Sequence, residues 1–237
     1  MKVFIGVGHG GSDPGVVVST LREKNINLTV ALAMQEELEK YQIQVEMSRY
    51  IDEDDRLEEE IQEANTYKPD LAVEVHTNAG GGHGFEIYRQ TSTAYGDQSK
   101  RLAEEITTAV KATGTPMRSP AIRTKLMSNG GDWFGWLREV QSPAVLCEGF
   151  FLDSATDRLY YDSPEKLQAL GVAYARGVLE YLGIKYNPDT GVTGDKIYKI
   201  QAGAFGTLSN AVDYVDRLSE CGFPAFIIEE VVNNDKK

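Results

Sequence analysis

The stretch that decides the fold lies at the start of the chain, where KVFIGV (residues 2–7) runs directly into GHGGSDPG (residues 8–15). The first part is rich in Val, Ile and Phe, which favour a strand. The second part is a glycine-rich loop that carries His9. Glycines let a backbone turn tightly and approach a ligand closely, so Gly10 and Gly11 are candidate substrate-binding positions. This pattern predicts the edge of an active site, and a surface turn that happens to hold a histidine is the alternative.

Length and charge limit the classes of protein to consider. The chain has 237 residues, enough for one large domain with a small appendage, and a formal net charge of -12. That charge argues against nucleic acid as a partner and gives no attraction to anionic membranes or wall polymers. No apolar run is long enough for a membrane span. The first strand begins at residue 2, so we expect no signal peptide and a cytoplasmic protein, with Cys147 and Cys221 as reduced thiols.

Strand and helix patterns alternate beyond the glycine-rich loop. Apolar periodicity predicts helices at 21–41, 52–67, 95–112 and from Ser163 to about residue 182, and strands at 43–48, 71–76, 85–89 and 144–147. Ser163 is the predicted N-cap of the last helix, followed by Pro164 at its first position. Alternation of this kind predicts an α/β fold with a mostly parallel sheet flanked by helices.

Two parts of the chain do not follow this alternation of strands and helices. Residues 114–136 predict a strand or loop followed by an aromatic-rich rim, in which core packing of Trp133 and Trp136 is favoured over stacking on sugar. Residues 185–195 contain mostly turn formers and predict a linker. It would separate a catalytic domain, residues 1–184, from a small C-terminal βαβ module, residues 196–237.

Three ionisable residues follow or close predicted strands. His9 follows the first strand, His76 closes LAVEVH, and Glu148 closes AVLCE. Ligands of open α/β sheets bind beyond the carboxyl ends of the strands. A glutamate at the end of a buried strand is costly unless it is paired, liganded or catalytic. The three residues therefore predict one site at one edge of the sheet.

Two imidazoles and a carboxylate are the ligands of a catalytic zinc site that keeps its fourth position open. The carboxylate should lie near the first loop, and Glu23, in the first turn of the following helix, is placed for this role. The alternative is a helix N-terminal glutamate stabilised by the helix dipole. Glu148 would then act as general base and acid beside the metal, as a glutamate that is not a ligand does in zinc hydrolases.

Three further polar residues have open roles. Asn78 is a candidate for substrate contact or a turn former. His83 lies in a glycine loop, where a surface histidine is favoured over a substrate contact. Glu74 shares a strand face with His76, so it could orient that ligand or pair with a basic neighbour such as Arg49.

Several short motifs occur in the order of a known family: GHGGSDPG at 8–15, Glu23 with the nearby Asn27-Leu28, VHTNA at 75–79, GFE at 84–86 and VLCE at 145–148. Together they resemble the zinc-dependent N-acetylmuramoyl-L-alanine amidases of the type-3 amidase family, which include phage endolysin catalytic domains. The resemblance covers Met1 to about Gly183. It implies a twisted, mainly parallel six-stranded sheet.

The same resemblance implies roles for the site residues. His9, Glu23 and His76 would hold Zn²⁺, and Glu148 would be the catalytic glutamate. The substrate would be bacterial peptidoglycan, cleaved at the amide between N-acetylmuramic acid and L-alanine of the stem peptide. Bacterial members often have Asp-Pro before Gly-His. Gly6-Val7 stands there in this chain, which leaves the residue that orients His9 unassigned.

The C-terminal segment resembles the first half of a SPOR domain, mainly through QAGAF at 201–205 and GFP at 222–224. That resemblance implies binding to peptidoglycan glycan strands, with a packing or dimerisation module as the alternative. One βαβ unit of about forty residues is near the lower limit for independent folding and leaves strand edges exposed. We therefore expect a homodimer through this segment, and a monomer with the segment packed on its own catalytic domain as the alternative.

The sequence thus favours a peptidoglycan amidase that stays in the cytoplasm until a lysis event releases it to the cell wall. Another zinc-dependent peptidase or deacylase on a similar sheet is the second interpretation. A wall-binding module with little activity is the third, although all four positions of the predicted site are filled.

Overall fold

The computed structural model describes residues 1–190, 206–212 and 214. The strands are β1 Lys2–Val7, β2 Val17–Val18, β3 Leu21–Arg22, β4 Gln44–Met47, β5 Leu71–Asn78, β6 Phe85–Arg89, β7 Met117–Arg123 and β8 Ala144–Phe151. The helices are α1 Glu23–Glu39, α2 Leu57–Tyr67, α3 Gly96–Lys111, α4 Gly135–Glu139, α5 Ala155–Arg158 and α6 Pro164–Tyr181. The chain divides into two units, Met1–Gly191 and Val192–Lys237. In the second unit residues 208–212 are helical, and the two strands predicted there lie outside the described residues.

Six strands form one mixed sheet in the order β4-β1-β5-β8-β6-β7, and β2 pairs with β3 in a small hairpin. Every neighbouring pair in the large sheet is parallel except β6 and β8, which are antiparallel. The predicted α/β fold with a mostly parallel sheet is therefore confirmed. The reversal has a simple cause: a parallel return needs a crossover of a dozen or more residues, and only the loop 79–84 separates β5 from β6.

One face of the sheet is covered by α1, α3 and α6, which pack on the apolar residues that alternate along the strands. The α6 backbone lies very close to its neighbours. A Cβ on Gly171 would lie 2.2 Å from the carbonyl oxygen of Val30, and one on Gly177 would lie 2.4 Å from Cα of Ile106. The predicted start of α6 is confirmed, since the Ser163 side chain accepts a hydrogen bond from the Lys166 amide.

The opposite face is only partly covered. Short helices α2 and α4 cover part of it, where Trp136 is buried among Phe4, Ala72 and Leu146. Towards the carboxyl ends of β5 and β8 the same face carries polar side chains: Glu74 and His76 on β5, Glu148 on β8, and Glu86 near the amino end of the antiparallel β6. We call this part of the sheet the open face.

Two predicted strand ends are wrong. β5 continues past His76 to Asn78, and β8 continues past Glu148 to Phe151. His76 is paired with Glu148, and Asn78 with Phe151, so the backbone pairing continues beyond the ionisable residues. Their polarity does not end the strands because their side chains lie on the open face. His76 and Glu148 therefore lie within strands and not at their ends.

The segments around these strands also differ from expectation. Residues 52–56 are not helical, and α2 begins at Leu57. Trp136 is in the core as predicted, but Trp133 is 53% exposed and lies under the Lys125 ammonium, 4.4 Å from the ring centroid. Among the described residues, no helix combines the length and hydropathy that a membrane span requires.

Candidate metal centre

The glycine-rich loop turns His9 back towards the sheet. His9 has φ 63°, a left-handed conformation that is uncommon for a residue other than glycine. Gly10 and Asp13 close the loop by exchanging two backbone hydrogen bonds of 3.0 and 2.9 Å. This turn brings Asp13 Oδ2 to 2.7 Å from His9 Nδ1. The other ring nitrogen, Nε2, then lies 3.2 Å from Glu23 Oε2.

Glu23, the first residue of α1, lies between the two histidines and is almost fully buried. Its Oε1 is 3.0 Å from His76 Nδ1, and its oxygens also accept hydrogen bonds from the amides of Val16 and Thr77. Burial alone would raise the pKa of Glu23. The adjacent His76 and His9 outweigh that effect and hold the pKa well below its ordinary value.

The second nitrogen of each imidazole contacts another carboxylate. His9 Nδ1 contacts Asp13, and His76 Nε2 is 3.2 Å from Glu74 Oε1. Burial would lower the pKa of His76, but hydrogen bonds with Glu23 and Glu74 raise it well above its usual value. The suggested pairing of Glu74 with Arg49 is wrong: the buried Arg49 donates instead to the carbonyls of Val7, Gly8 and Lys24.

His9, Glu23 and His76 each offer one ligand atom, and these atoms lie within 4.8 Å of one another. Within the described ranges, they form the only group of this kind. Imidazole nitrogen and carboxylate oxygen are donors that zinc prefers, and a carboxylate on the far nitrogen is the usual partner of a metal-bound histidine. The donor set therefore fits zinc. His83 is exposed and is not part of the group.

Glu148 lies beside this group, opposite His76 on the neighbouring strand. Its Oε2 is buried and has no hydrogen-bond partner among the described residues. Burial raises the pKa of Glu148 to about 7, and the carboxylates of Glu23 and Glu86 act in the same direction. A carboxyl group with a raised pKa is a candidate general base or acid.

Asn78 and the two glycines proposed as substrate contacts have structural partners. Asn78 Nδ2 donates to Glu86 Oε1 over 2.7 Å, and its Oδ1 accepts from the Ala79 amide, which is the behaviour of a turn former. A Cβ on Gly10 would lie 2.2 Å from the Glu53 carbonyl oxygen, and one on Gly11 would lie 2.5 Å from the Asp54 amide nitrogen. The substrate role of these three residues stays a prediction.

The segment 52–54 fixes the glycine-rich loop from outside. Asp52 accepts hydrogen bonds from the Gly11 amide and from Lys24 Nζ, at 2.9 and 2.7 Å. Asp54 accepts from the amide and the hydroxyl of Ser12, at 2.6 and 2.8 Å. These carboxylates are needed in an extended loop, which explains why residues 52–56 are not part of α2.

A pocket of about 290 Å³ opens beside His9 and His76. Its wall includes Phe134 and two carboxyl groups, Asp55 and Glu60. Burial raises the pKa of Asp55 to about 6 and that of Glu60 well above its ordinary value. Glu60 also accepts the Val7 amide at the end of β1. The pocket thus places buried carboxyl groups next to the histidines.

Sequence reasoning missed the roles of Asp13 and the segment 52–54, and it gave Arg49 the wrong partner. Asp13 contacts His9 and so fills the orienting role that the absence of Asp-Pro had left unassigned. Its position four residues after His9, in the same tight loop, could have indicated this contact. The partners of Arg49 and of residues 52–54 are distant in sequence, so only the structure reveals them.

The described residues thus combine an α/β fold, a mostly parallel sheet, with a His/Glu/His group that could hold a metal ion and an adjacent buried glutamate. Comparison with known proteins specifies the family. The sequence profile of the N-acetylmuramoyl-L-alanine amidases called Amidase_3 matches residues 3–180. The chain belongs to this family.

Individual relatives and a solved structure support the same family assignment. The chain is 31% identical over 232 residues to a sporulation-specific N-acetylmuramoyl-L-alanine amidase of Bacillus subtilis, covering 96% of this chain and 84% of the relative. It is 31% identical over 189 residues to an endolysin of Bacillus phage SPP1, covering 77% and 66%. The solved catalytic domain of CwlV, an N-acetylmuramoyl-L-alanine amidase from Bacillus (Paenibacillus) polymyxa, superposes with a TM-score of 0.68 at 29% identity, covering 78% of this chain and 99% of that domain.

Proposed function

We propose that this chain hydrolyses the amide between N-acetylmuramic acid and L-alanine in peptidoglycan, with zinc held by His9, Glu23 and His76 and with Glu148 as general base and acid. One observation carries the proposal. A buried carboxyl group with an unpartnered oxygen and a pKa near 7 lies beside a compact His/Glu/His group.

His9, Glu23 and His76 would hold a zinc ion, which would supply a Lewis acid and would lower the pKa of bound water towards about 7. Glu148 accepts a proton from the attacking water as the new carbon–oxygen bond forms. It then delivers that proton to the nitrogen of L-alanine as the amide bond breaks. Burial raises the pKa of this carboxyl group in the metal-free fold, and a raised proton affinity favours the first transfer.

The remaining residues orient the ligands. Asp13 and Glu74 lie against the outer nitrogens of His9 and His76, so these carboxylates can accept the one remaining ring proton when the inner nitrogens bind a metal. The amides of Val16 and Thr77 hold the Glu23 carboxylate in place. A ligand set held in this way needs little rearrangement to bind a metal.

The proposal also covers the C-terminal unit. We propose that residues 196–237 bind glycan strands or form a homodimer, and that the enzyme stays in the cytoplasm until it is released to the wall. Most of this segment lies outside the described residues. Light scattering on the full chain and on a variant ending at Lys185 tests the dimer, and a monomeric full-length protein at micromolar concentration would contradict it.

The activity is tested on purified peptidoglycan with protein that has been chelated and reloaded with one equivalent of zinc. We expect new L-alanine amino termini, no new reducing sugars, and loss of turnover on chelation. His76→Ala should lose stoichiometric zinc. The matched control is His83→Ala, an exposed histidine outside the group, which should keep both zinc and turnover. New reducing ends, or zinc loss in the His83 variant, would refute the assignment.

A further inference from the structure

Two arginines of β7 extend the open face beyond Glu148. Glu86, paired with Glu148 on the neighbouring strand, places its Oε2 3.0 Å from Arg118 Nε and 3.5 Å from Arg123 Nε. A row of ionisable side chains therefore crosses four adjacent strands, from His76 on β5 through Glu148 and Glu86 to the two arginines. The arginine end of this row has no part in the metal site.

The outer ends of both guanidinium groups are free to bind a ligand. Each arginine contacts Glu86 through Nε, and none of their Nη atoms has a hydrogen-bond partner in the part of the chain that the structure describes. Their side chains are 34% and 31% exposed. Two guanidinium groups face one carboxylate here, which leaves a surplus positive charge on a chain whose net charge is -12.

Arg118 is held in a defined position. Its guanidinium carbon lies 5.0 Å from the centroid of the Phe151 ring. Gly82 packs against both side chains, since a Cβ there would lie 2.3 Å from Arg118 Nη1 and 2.4 Å from the Phe151 ring. The loop that contains Gly82 is anchored in turn, since the amides of Gly80 and Gly81 both donate to Asp153. A guanidinium that is already fixed loses little conformational freedom when it binds a planar anion.

The spacing fits a short peptide. Neighbouring strands lie about 4.8 Å apart, so β7 is roughly 10 Å from β8 and its Glu148. An extended peptide covers about 3.3–3.6 Å per residue. Both arginines reach back from β7 to Glu86 on β6, so a peptide that crosses the sheet from Glu148 towards β7 needs only about two residues to come within their reach.

We infer that Arg118 and Arg123 form an anion subsite for a free carboxylate on the second residue of the stem peptide. The fork of a guanidinium matches a carboxylate bidentately, and the charge strengthens each hydrogen bond. The subsite makes the enzyme prefer a stem peptide whose second residue carries a carboxylate over one in which that group is an amide. The inference rests on the proposed amidase function and adds the chemistry that the peptide must have.

The test compares two muropeptides that differ only at the second residue, D-isoglutamate in one and D-isoglutamine in the other. Wild-type protein loaded with zinc should cleave the carboxylate form with a kcat/KM about 10–100-fold higher, the range expected for one hydrogen bond to a charged group. Arg118→Gln and Arg123→Gln should each reduce this preference through KM, and the double variant should abolish it. In each variant, cleavage of the amide form should fall by less than cleavage of the carboxylate form.

Arg118→Lys keeps the positive charge but lacks the paired N–H donors of a guanidinium. This variant should retain part of the preference for the carboxylate form. Arg176→Gln is the matched control, because Arg176 lies on α6 and stacks on Tyr186 at 5.5 Å. It should keep the full wild-type preference.

The possible outcomes separate the two proposals. Wild-type cleavage of both muropeptides at equal rates overturns the subsite and leaves the amidase function standing. An equal loss on both substrates in an arginine variant with a wild-type melting temperature also overturns it. Wild-type protein that cleaves neither muropeptide refutes the amidase function, and the subsite with it. The wild-type comparison needs no variant, so misfolding of a variant does not prevent a decision.

Discussion

The two faces of the sheet are built from the same strands but serve different ends. The face under α1, α3 and α6 is apolar, with Ile5, Val73 and Val145 fully buried. The open face carries Glu74 and Glu148 on alternate positions of β5 and β8. Because side chains alternate across a strand, one stretch of sequence can supply a core on one side and a reactive site on the other.

The two faces of the sheet therefore divide the work: one stabilises the fold, and the other carries the candidate reactive site. Apolar burial on the helix-covered face stabilises the fold. On the open face Glu74 and Glu148 each have a buried oxygen without a hydrogen-bond partner in the described ranges, which costs free energy. We therefore expect substitutions on the open face to alter turnover or metal affinity without loss of stability, and substitutions on the other face to do the reverse.

The largest expected effect is on turnover. Glu148→Gln keeps the shape of the side chain but cannot accept a proton, so turnover should fall about 10²–10⁴-fold. Bound zinc, measured by metal analysis of the dialysed protein, should stay at one per chain. Glu180→Gln, an exposed position in α6, is the control. Loss of stoichiometric zinc in the Glu148 variant would mean that Glu148 is a ligand and that its role and that of Glu23 must be exchanged.

The same substitution should stabilise the metal-free protein at alkaline pH. The pKa of Glu148 is raised to about 7 in the fold, above the ordinary value near 4.5, so the folded state holds a proton more tightly than the unfolded state. Its contribution to stability is therefore present below about pH 4.5 and is lost as the pH rises to about 7.

Glu148→Gln removes this dependence. At pH 8 the free energy of unfolding of the variant should exceed that of wild type by about 2–3 kcal/mol, and the two should converge near pH 4. Urea titrations of the chelated proteins at both pH values measure the difference. A constant difference between the two proteins at both pH values would show that the carboxyl group is not titrating as described.

The helix-covered face should respond in the opposite way. Gly177→Ala would place a methyl group 2.4 Å from Cα of Ile106 in α3, so the free energy of unfolding should fall by about 1–3 kcal/mol. Turnover per folded molecule should not change, because α3 contributes no residue to the site. Gly96→Ala is the matched control, since its nearest neighbour would be 3.4 Å away. A loss of turnover in folded Gly177→Ala protein would contradict the separation of the two faces.

Much of this arrangement could be predicted from the sequence because its signals are local. The apolar strands and the glycine-rich loop indicated the α/β sheet, and ionisable residues within or after apolar runs indicated where a site would form. Glu74 was placed on the face of His76 by alternation alone. These predictions depend on a period of two residues, which is visible within any short stretch.

The rest depends on contacts between distant segments. The end of a strand depends on the pairing of its neighbour, so the extension of β5 and β8 beyond His76 and Glu148 was not visible. Arg49 binds carbonyl groups of β1, the loop after it and α1, which no local pattern indicates. The same holds for the arginines of β7, since their common partner Glu86 lies more than thirty positions earlier.

The smallest expected effect compares the two carboxylates that orient the histidines. Asp13 lies on the loop with its side chain 65% exposed, whereas Glu74 lies on the open face with its side chain 2% exposed. Removing a carboxylate behind a metal-bound histidine typically weakens metal binding about 10–100-fold. Solvent screens Asp13 but not Glu74, so Asp13→Asn should lie at the lower end of this range and Glu74→Gln at the upper end.

Competition with a chromogenic chelator at pH 7.5 measures both zinc affinities. The control is Asp162→Asn, an exposed aspartate paired with Lys166 far from the site in sequence, which should bind zinc as wild type does. The amide oxygen of Asn can still accept from His9 Nδ1, so Asp13→Asn keeps the tautomer and loses only the charge, while Asp13→Ala loses both and should bind zinc more weakly. Equal affinities for Asp13→Ala and wild type would show that the loop carboxylate does not orient His9, and that Glu74, on the open face, acts alone.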